Sequence, residues 1–129
     1  RKLETMNFEV KEANNCVVIK SKVEKLDTNH APELKSLLVF HNKNMVKNIV
    51  IDLSDSRYCD SSGLSALLVA NRLCKNAHGT FVLTGLQEPV QKLIHISQLH
   101  TVLTITPNVN DAIEHLAAVS VEGEGDEEK

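Results

Sequence analysis

Apolar and polar residues alternate near the start of the chain. Phe8 and Val10 are set among Asn7, Glu9 and Lys11, the two-residue period of a half-buried strand. Asn14-Asn15 is a turn signal. Cys16 to Ile19 reads as a second strand, paired with the first as a hairpin. Residues 1–5 precede an internal Met6 and read as an N-terminal extension. Asp27 to Ala31 is polar and loop-like. The pattern then predicts a helix: Thr28 or Asn29 can cap it, Pro32 suits its first turn, and Leu34, Leu37, Leu38, Phe40 and His41 mark one face. Lys43-Asn44 and Lys47-Asn48 punctuate its exit.

Ile49 to Leu53 is short, apolar and rich in β-branched residues, which is how a strand buried on both faces reads. A helix is expected from near Ser61 to about Ala77, ended by His78-Gly79. Thr80 to Thr84 predicts another strand, and Gly85 turns the chain. Glu88-Pro89 opens a short helix through about Ser97. Thr101 to Thr106 is a weak last strand, broken by Pro107-Asn108. Asn110-Asp111 starts a final helix to about Ala118, with Ala112, Ile113, Leu116 and Ala117 on its apolar face.

Strands alternate with helices from residue 48 onward, which implies parallel strands joined by right-handed crossovers. The opening hairpin adds an antiparallel part. The expectation is one α/β domain over residues 6–118, a mixed sheet of about five strands packed with about four helices. Residues 119–129 are expected to be an acidic, disordered tail, because charge and glycine leave them little to bury. No internal repeat is visible.

At 129 residues the chain fits one domain with one core. Aromatic residues are 3% and Trp is absent, so Leu, Ile and Val must build that core. The same scarcity removes the aromatic platforms on which single-strand nucleic-acid binding relies. Of 14 bases and 17 acids, one base and five acids lie between Glu122 and Lys129. The remainder is 13 against 12, with no basic field for DNA or RNA. The three cysteines, Cys16, Cys59 and Cys74, are odd in number and unpaired in spacing. The start of the chain is charged and alternating, and no apolar run approaches a membrane span. These features predict a reduced, cytoplasmic protein with no membrane span, metal or cofactor.

Signals for catalysis are sparse. The common Gly-rich phosphate loops are missing, and so is a Gly-x-Ser-x-Gly elbow: Cys59-Asp60 precedes Ser61 and Ser62-Gly63 follows it. The six histidines form no i, i+4 pair, and no base flanks Cys59. An enzyme is not expected.

Asp60-Ser61-Ser62-Gly63 sets two hydroxyls and a carboxylate at the start of a helix. Helix starts have unpaired N–H groups and a positive dipole end, so they favour side-chain caps and also phosphate. A serine there can be a cap, a phosphate acceptor, or both. Six of the seven residues from Leu64 to Ala70 are apolar, more than a helix on a sheet requires. The surplus must meet either neighbouring helices or another protein.

Several ordered segments resemble the STAS domain, and within it the bacterial anti-sigma factor antagonists. Ile49 to Leu53, then Asp60-Ser61-Ser62-Gly63-Leu64, is similar to the family's strand and its Asp-Ser-Ser/Thr-Gly-Leu-Gly motif. Leu26-Asp27 resembles the Leu-Asp before the family's first helix. Phe81 to Gly85, then Pro89-Val90-Gln91-Lys92-Leu93, is similar to its later strand and Pro-Val-x-x-Leu helix. The resemblance spans about residues 6–118 and implies a binding module for an anti-sigma factor that is also a serine kinase. It implies phosphorylation of Ser61, release of the kinase, and a phosphatase that resets the switch. Partner contacts are expected at Asp27, Asp60, Ser61, Ser62, Gly63, Leu64 and Leu68. Ser65 stands where the family motif closes with Gly, and Glu24-Lys25 occupies the region where a Gly usually precedes Leu-Asp. The alternative is a STAS scaffold or accessory subunit of a stress-signalling assembly or of a lipid or anion transporter, and a serine-nucleophile enzyme is a weaker third reading.

Overall fold

A computed structural model describes residues 5–13 and 15–127, with side chains through Ser120. The opening hairpin is β1 (Phe8–Ala13) and β2 (Cys16–Ser21), antiparallel, with Ala13 opposite Cys16 and Asn15 at φ 69°. Asn14 of the turn signal lies outside the described residues. The Thr5 hydroxyl accepts the Phe8 amide at 3.0 Å and so caps the beginning of β1. Met6 is exposed. Then follow β3 (Lys25–Leu26), α1 (Ala31–Lys43), β4 (Ile49–Asp52), β5 (Tyr58–Cys59), α2 (Ser61–Asn76), β6 (Phe81–Thr84), α3 (Glu88–Ile96), a 3-10 turn at Leu99–Thr101, β7 (Thr104–Thr106) and α4 (Val109–Glu127).

The main sheet has five strands in the order β1-β2-β4-β6-β7, parallel except for the β1–β2 pair. Strand alternation divides the core into two layers. Val17, Ile19, Ile49, Ile51, Phe81 and Leu83 point into the layer shared with α1, α2 and α3. Val18, Val50 and Val82 point the other way, against Ala112 and Leu116 of α4. Every residue of β4 except Asp52 is buried, as its unbroken apolar run predicts. The expected mixed α/β sheet with about four helices is therefore present.

Three local expectations need correction, and one strand pairing has no counterpart among them. The cap of α1 is neither Thr28 nor Asn29 but His30, which makes no side-chain cap bond, because Asp27 organises this loop instead. The last strand begins at Thr104, since Leu99–Thr101 winds into a 3-10 turn. A second, two-stranded sheet pairs β3 with β5 in parallel. Finally, α4 does not end near Ala118. It continues through Glu127, so the acidic segment is helical to that point; an established helix extends cheaply, and glutamate is a good helix former. Glu128 and Lys129 lie outside the described residues.

The β3–β5 pair is what carries the serine segment to its position. The amides of Arg57 and Tyr58 both donate to the Glu24 carbonyl, at 2.8 and 3.1 Å. Beneath them the buried Ser56 hydroxyl sits 2.6 Å from the Val23 carbonyl oxygen and 2.9 Å from Ser21 Oγ. The chain leaving β4 is thereby tied to the chain leaving β2 just before α2 begins.

Candidate phosphoacceptor site at the start of helix α2

Asp60 is the N-cap of α2, with extended backbone, and its Oδ1 accepts the Gly63 amide at 3.0 Å. An aspartate in this position satisfies one of the orphan amides of the first turn. Its second oxygen reaches across to the loop before α1. Oδ2 accepts the Thr28 amide at 3.3 Å and the Thr28 hydroxyl at 3.4 Å. The Gly63 amide is the main reason the Asp60 carboxyl is held below the ordinary carboxylate range, and the Thr28 and Ser62 amides add to it. The negative charge of Asp60 is thus fixed at the helix start.

Gly63 is buried, and a side chain is excluded there. A Cβ would collide with the Leu26 carbonyl oxygen and the Cys59 sulfur. The glycine lets α2 lie directly against β3. Neighbouring Cys59 has its thiol pushed up to about 12 by burial, with the Asp60 charge adding to the shift. At that value the thiol is protonated at neutral pH. Cys74, inside α2, is pushed up to about 12 by burial as well.

The two serines are distinct. Ser61 is exposed, and its hydroxyl makes no hydrogen bond among the described residues. Ser62 is half-buried, with its Oγ 3.1 Å from Thr28 Oγ1. No acidic residue occupies the first turn of α2 beyond the cap. The positive end of the helix is consequently open to an added anion at Ser61.

Asp27 shapes the adjoining loop. Its Oδ1 accepts the Asn29 amide at 3.0 Å and pairs with His30 Nδ1 at 3.0 Å, while its carbonyl accepts the Ala31 amide at 2.8 Å. The carboxylate is engaged within its own turn, and Thr28, not Asp27, makes the link to Asp60. Leu64 is half-buried and packs on the main core, whereas Leu68 is 36% exposed. Val69 and Leu73 are also packed on that core, so most of the surplus apolar surface of α2 is covered from within. Leu68 is the large apolar residue of α2 left facing out.

Two neighbours escape the sequence reading. Thr28 lies 32 residues from Asp60, and no local spacing announces their contact. Tyr58 is 43% exposed at the same corner, with the Arg57 guanidinium carbon 5.5 Å and Lys25 Nζ 6.0 Å from its ring centroid. Among the described residues no group of three His, Cys, Asp or Glu could hold a metal ion, and no helix is long and apolar enough to cross a membrane.

The family model for the STAS domain matches residues 7–112. An anti-sigma F factor antagonist of Paenibacillus polymyxa is 28% identical over 78 residues, which is 60% of this chain and 67% of that protein. A Thermotoga maritima protein assigned as an anti-sigma factor antagonist superposes with a TM-score of 0.80 at 20% identity, covering 85% of this chain and 94% of its own. SpoIIAA in its unphosphorylated form superposes at 0.68 with 17% identity, covering 85% and 97%. The phosphorylated form of SpoIIAA, a Bacillus cell fate determinant, superposes at 0.66 with 18% identity, covering 84% and 97%. With the family match over most of the domain and the same fold in each of these structures, the chain belongs to the STAS domain family.

Proposed function

We propose that this protein is an anti-sigma factor antagonist, a binding module that sequesters an anti-sigma factor serine kinase and so frees a sigma factor. Phosphate on Ser61 is the switch, and a phosphatase reverses it. The observation that carries the reading is the exposed Ser61 hydroxyl, unpaired among the described residues, at a capped helix start in a STAS domain similar to an anti-sigma F factor antagonist. The existence of SpoIIAA in phosphorylated and unphosphorylated forms supports it.

The mechanism is electrostatic. A phosphoserine adds about −1.5 to −2 charges at neutral pH. Within this protein the amides and dipole of α2 offset that charge. In a contact with the kinase it must be desolvated beside Asp60, which is already ionised. A loss of a few kcal/mol is enough to reverse partner choice. The contact surface in this reading runs from Asp60, Ser61, Ser62 and Gly63 to Leu64 and Leu68, with Asp27 shaping its edge. Leu68 is its apolar anchor.

Incubation with the kinase and ATP, followed by mapping of the phosphate by mass spectrometry, tests the acceptor. A single phosphate on Ser61 is expected. Modification of Ser62 alone, or none with an active kinase, contradicts the assignment.

A further inference from the structure

Ser61 and Ser62 are adjacent primary alcohols, chemically equivalent as phosphate acceptors. One step along a helix rotates a side chain by about 100°. That rotation gives the two hydroxyls different surroundings. We propose that Thr28 confines phosphorylation to Ser61 by holding the Ser62 hydroxyl. The inference rests on the reading of this segment as a kinase substrate and adds to it the residue that selects between the two serines.

The proton inventory sets the direction of each bond. Asp60 is ionised and can only accept. Thr28 Oγ1, 3.4 Å from Asp60 Oδ2, therefore gives its one proton to the carboxylate. The 3.1 Å contact between Thr28 Oγ1 and Ser62 Oγ must then use the Ser62 proton. Ser62, a half-buried residue, is left donating into the loop before α1. Ser61 has no such partner among the described residues. In the transfer, the attacking serine Oγ bonds to the γ-phosphorus of ATP and the bridging oxygen leaves with ADP. The hydroxyl proton passes to a base of the kinase. Ser61 can present its oxygen and release its proton without breaking a contact. Ser62 must first leave Thr28 and change rotamer.

Thr28 acts here as a positioning residue, and its own exposure makes it testable. Thr28→Val keeps the backbone amide bond to Asp60 and the side-chain shape but removes the hydroxyl. Thr28→Ser restores it. Three-bond couplings between Hα and Hβ of Ser61 and Ser62, measured by NMR, read the rotamers without any kinase. Ser62 is expected to show one staggered rotamer in wild type and Thr28→Ser and averaged rotamers in Thr28→Val, with Ser61 averaged in all three. Each form is then incubated with the anti-sigma F factor of Paenibacillus polymyxa and Mg-ATP and mapped by tandem mass spectrometry. Wild type and Thr28→Ser should carry phosphate on Ser61 alone, and Thr28→Val should divide it between Ser61 and Ser62. Averaged Ser62 couplings in wild type overturn the inference, as does phosphate confined to Ser61 in Thr28→Val, and the second outcome leaves Ser61 standing as the acceptor. No phosphate on any form, with the kinase active on its own antagonist in the same assay, overturns the acceptor reading and this inference together.

Discussion

The carboxylate of Asp60 and the backbone of Thr28 tie two helix starts together: Oδ2 accepts the Thr28 amide at 3.3 Å while Oδ1 caps α2 at Gly63. One side chain thus fixes both the first turn that presents Ser61 and the loop that leads into α1. The backbone on either side of this contact is held by the one shared anchor.

Replacing Asp60 should therefore cost more than an ordinary cap. Asp60→Ala is expected to lower stability by about 1–2 kcal/mol, measured by urea unfolding. The pH dependence has a definite sign. The folded carboxyl lies below its unfolded value of 3.8, so its contribution is present above that value and is lost as pH falls through the folded one. The difference between wild type and Asp60→Asn should shrink on acidification below about pH 4. A constant difference from pH 6 to 3 contradicts this role.

Gly63→Ala should destabilise the fold, although the same change in a helix normally stabilises by up to about 1 kcal/mol. The new methyl must displace α2 from the Leu26 carbonyl. A net loss of about 1–3 kcal/mol is expected, read from denaturant midpoints. A more stable variant would show that β3 and α2 are not in close contact.

His41 supplies a second pH signature. It is buried on α1, its Nε2 has no hydrogen-bond partner among the described residues, and burial pulls its pKa below the ordinary 6.5, with the Glu12 charge opposing. The folded state favours the neutral ring, so stability should be full above the unfolded pKa and decline as pH falls below it. Melting temperature between pH 7 and 5 should drop less for His41→Leu than for wild type. Parallel curves contradict that assignment.

Residues 122–129 are expected to be dispensable, although the helix backbone continues through Glu127. The apolar anchors of α4 are Ala112 and Leu116, well before this segment. Truncation after Val121 should leave the melting temperature nearly unchanged. A large drop would mean the acidic turns are anchored.

Much of this architecture is visible in the amino-acid order. Ile49 to Asp52 and Ser61 to Asn76 are legible because each carries a concentrated apolar run of a length that suits its element. The two-residue strands β3 and β5 are not, because two residues cannot display a period. Asp60 and Ser61 stand out through cap chemistry. Thr28 does not: its link to Asp60 joins positions 32 apart and exists only once the sheet has closed. The surplus apolar surface of α2 was open to two interpretations by pattern alone. Packing divides it, with Val69 and Leu73 turned against the core and Leu68 outward.

The most direct test of the central claim is titration calorimetry of the proposed anti-sigma factor partner against wild type, Ser61→Ala, Ser61→Asp and the Ser61 phosphoprotein. Ser61→Ala leaves Asp60 as the cap and Leu68 in place, so it should bind near wild type. Ser61→Asp adds one charge without the full set of phosphate oxygens and should bind more weakly. The phosphoprotein should bind weakest, through the desolvation cost of its charge. Equal affinities across all forms would contradict the claim that phosphate on Ser61 gates this interface.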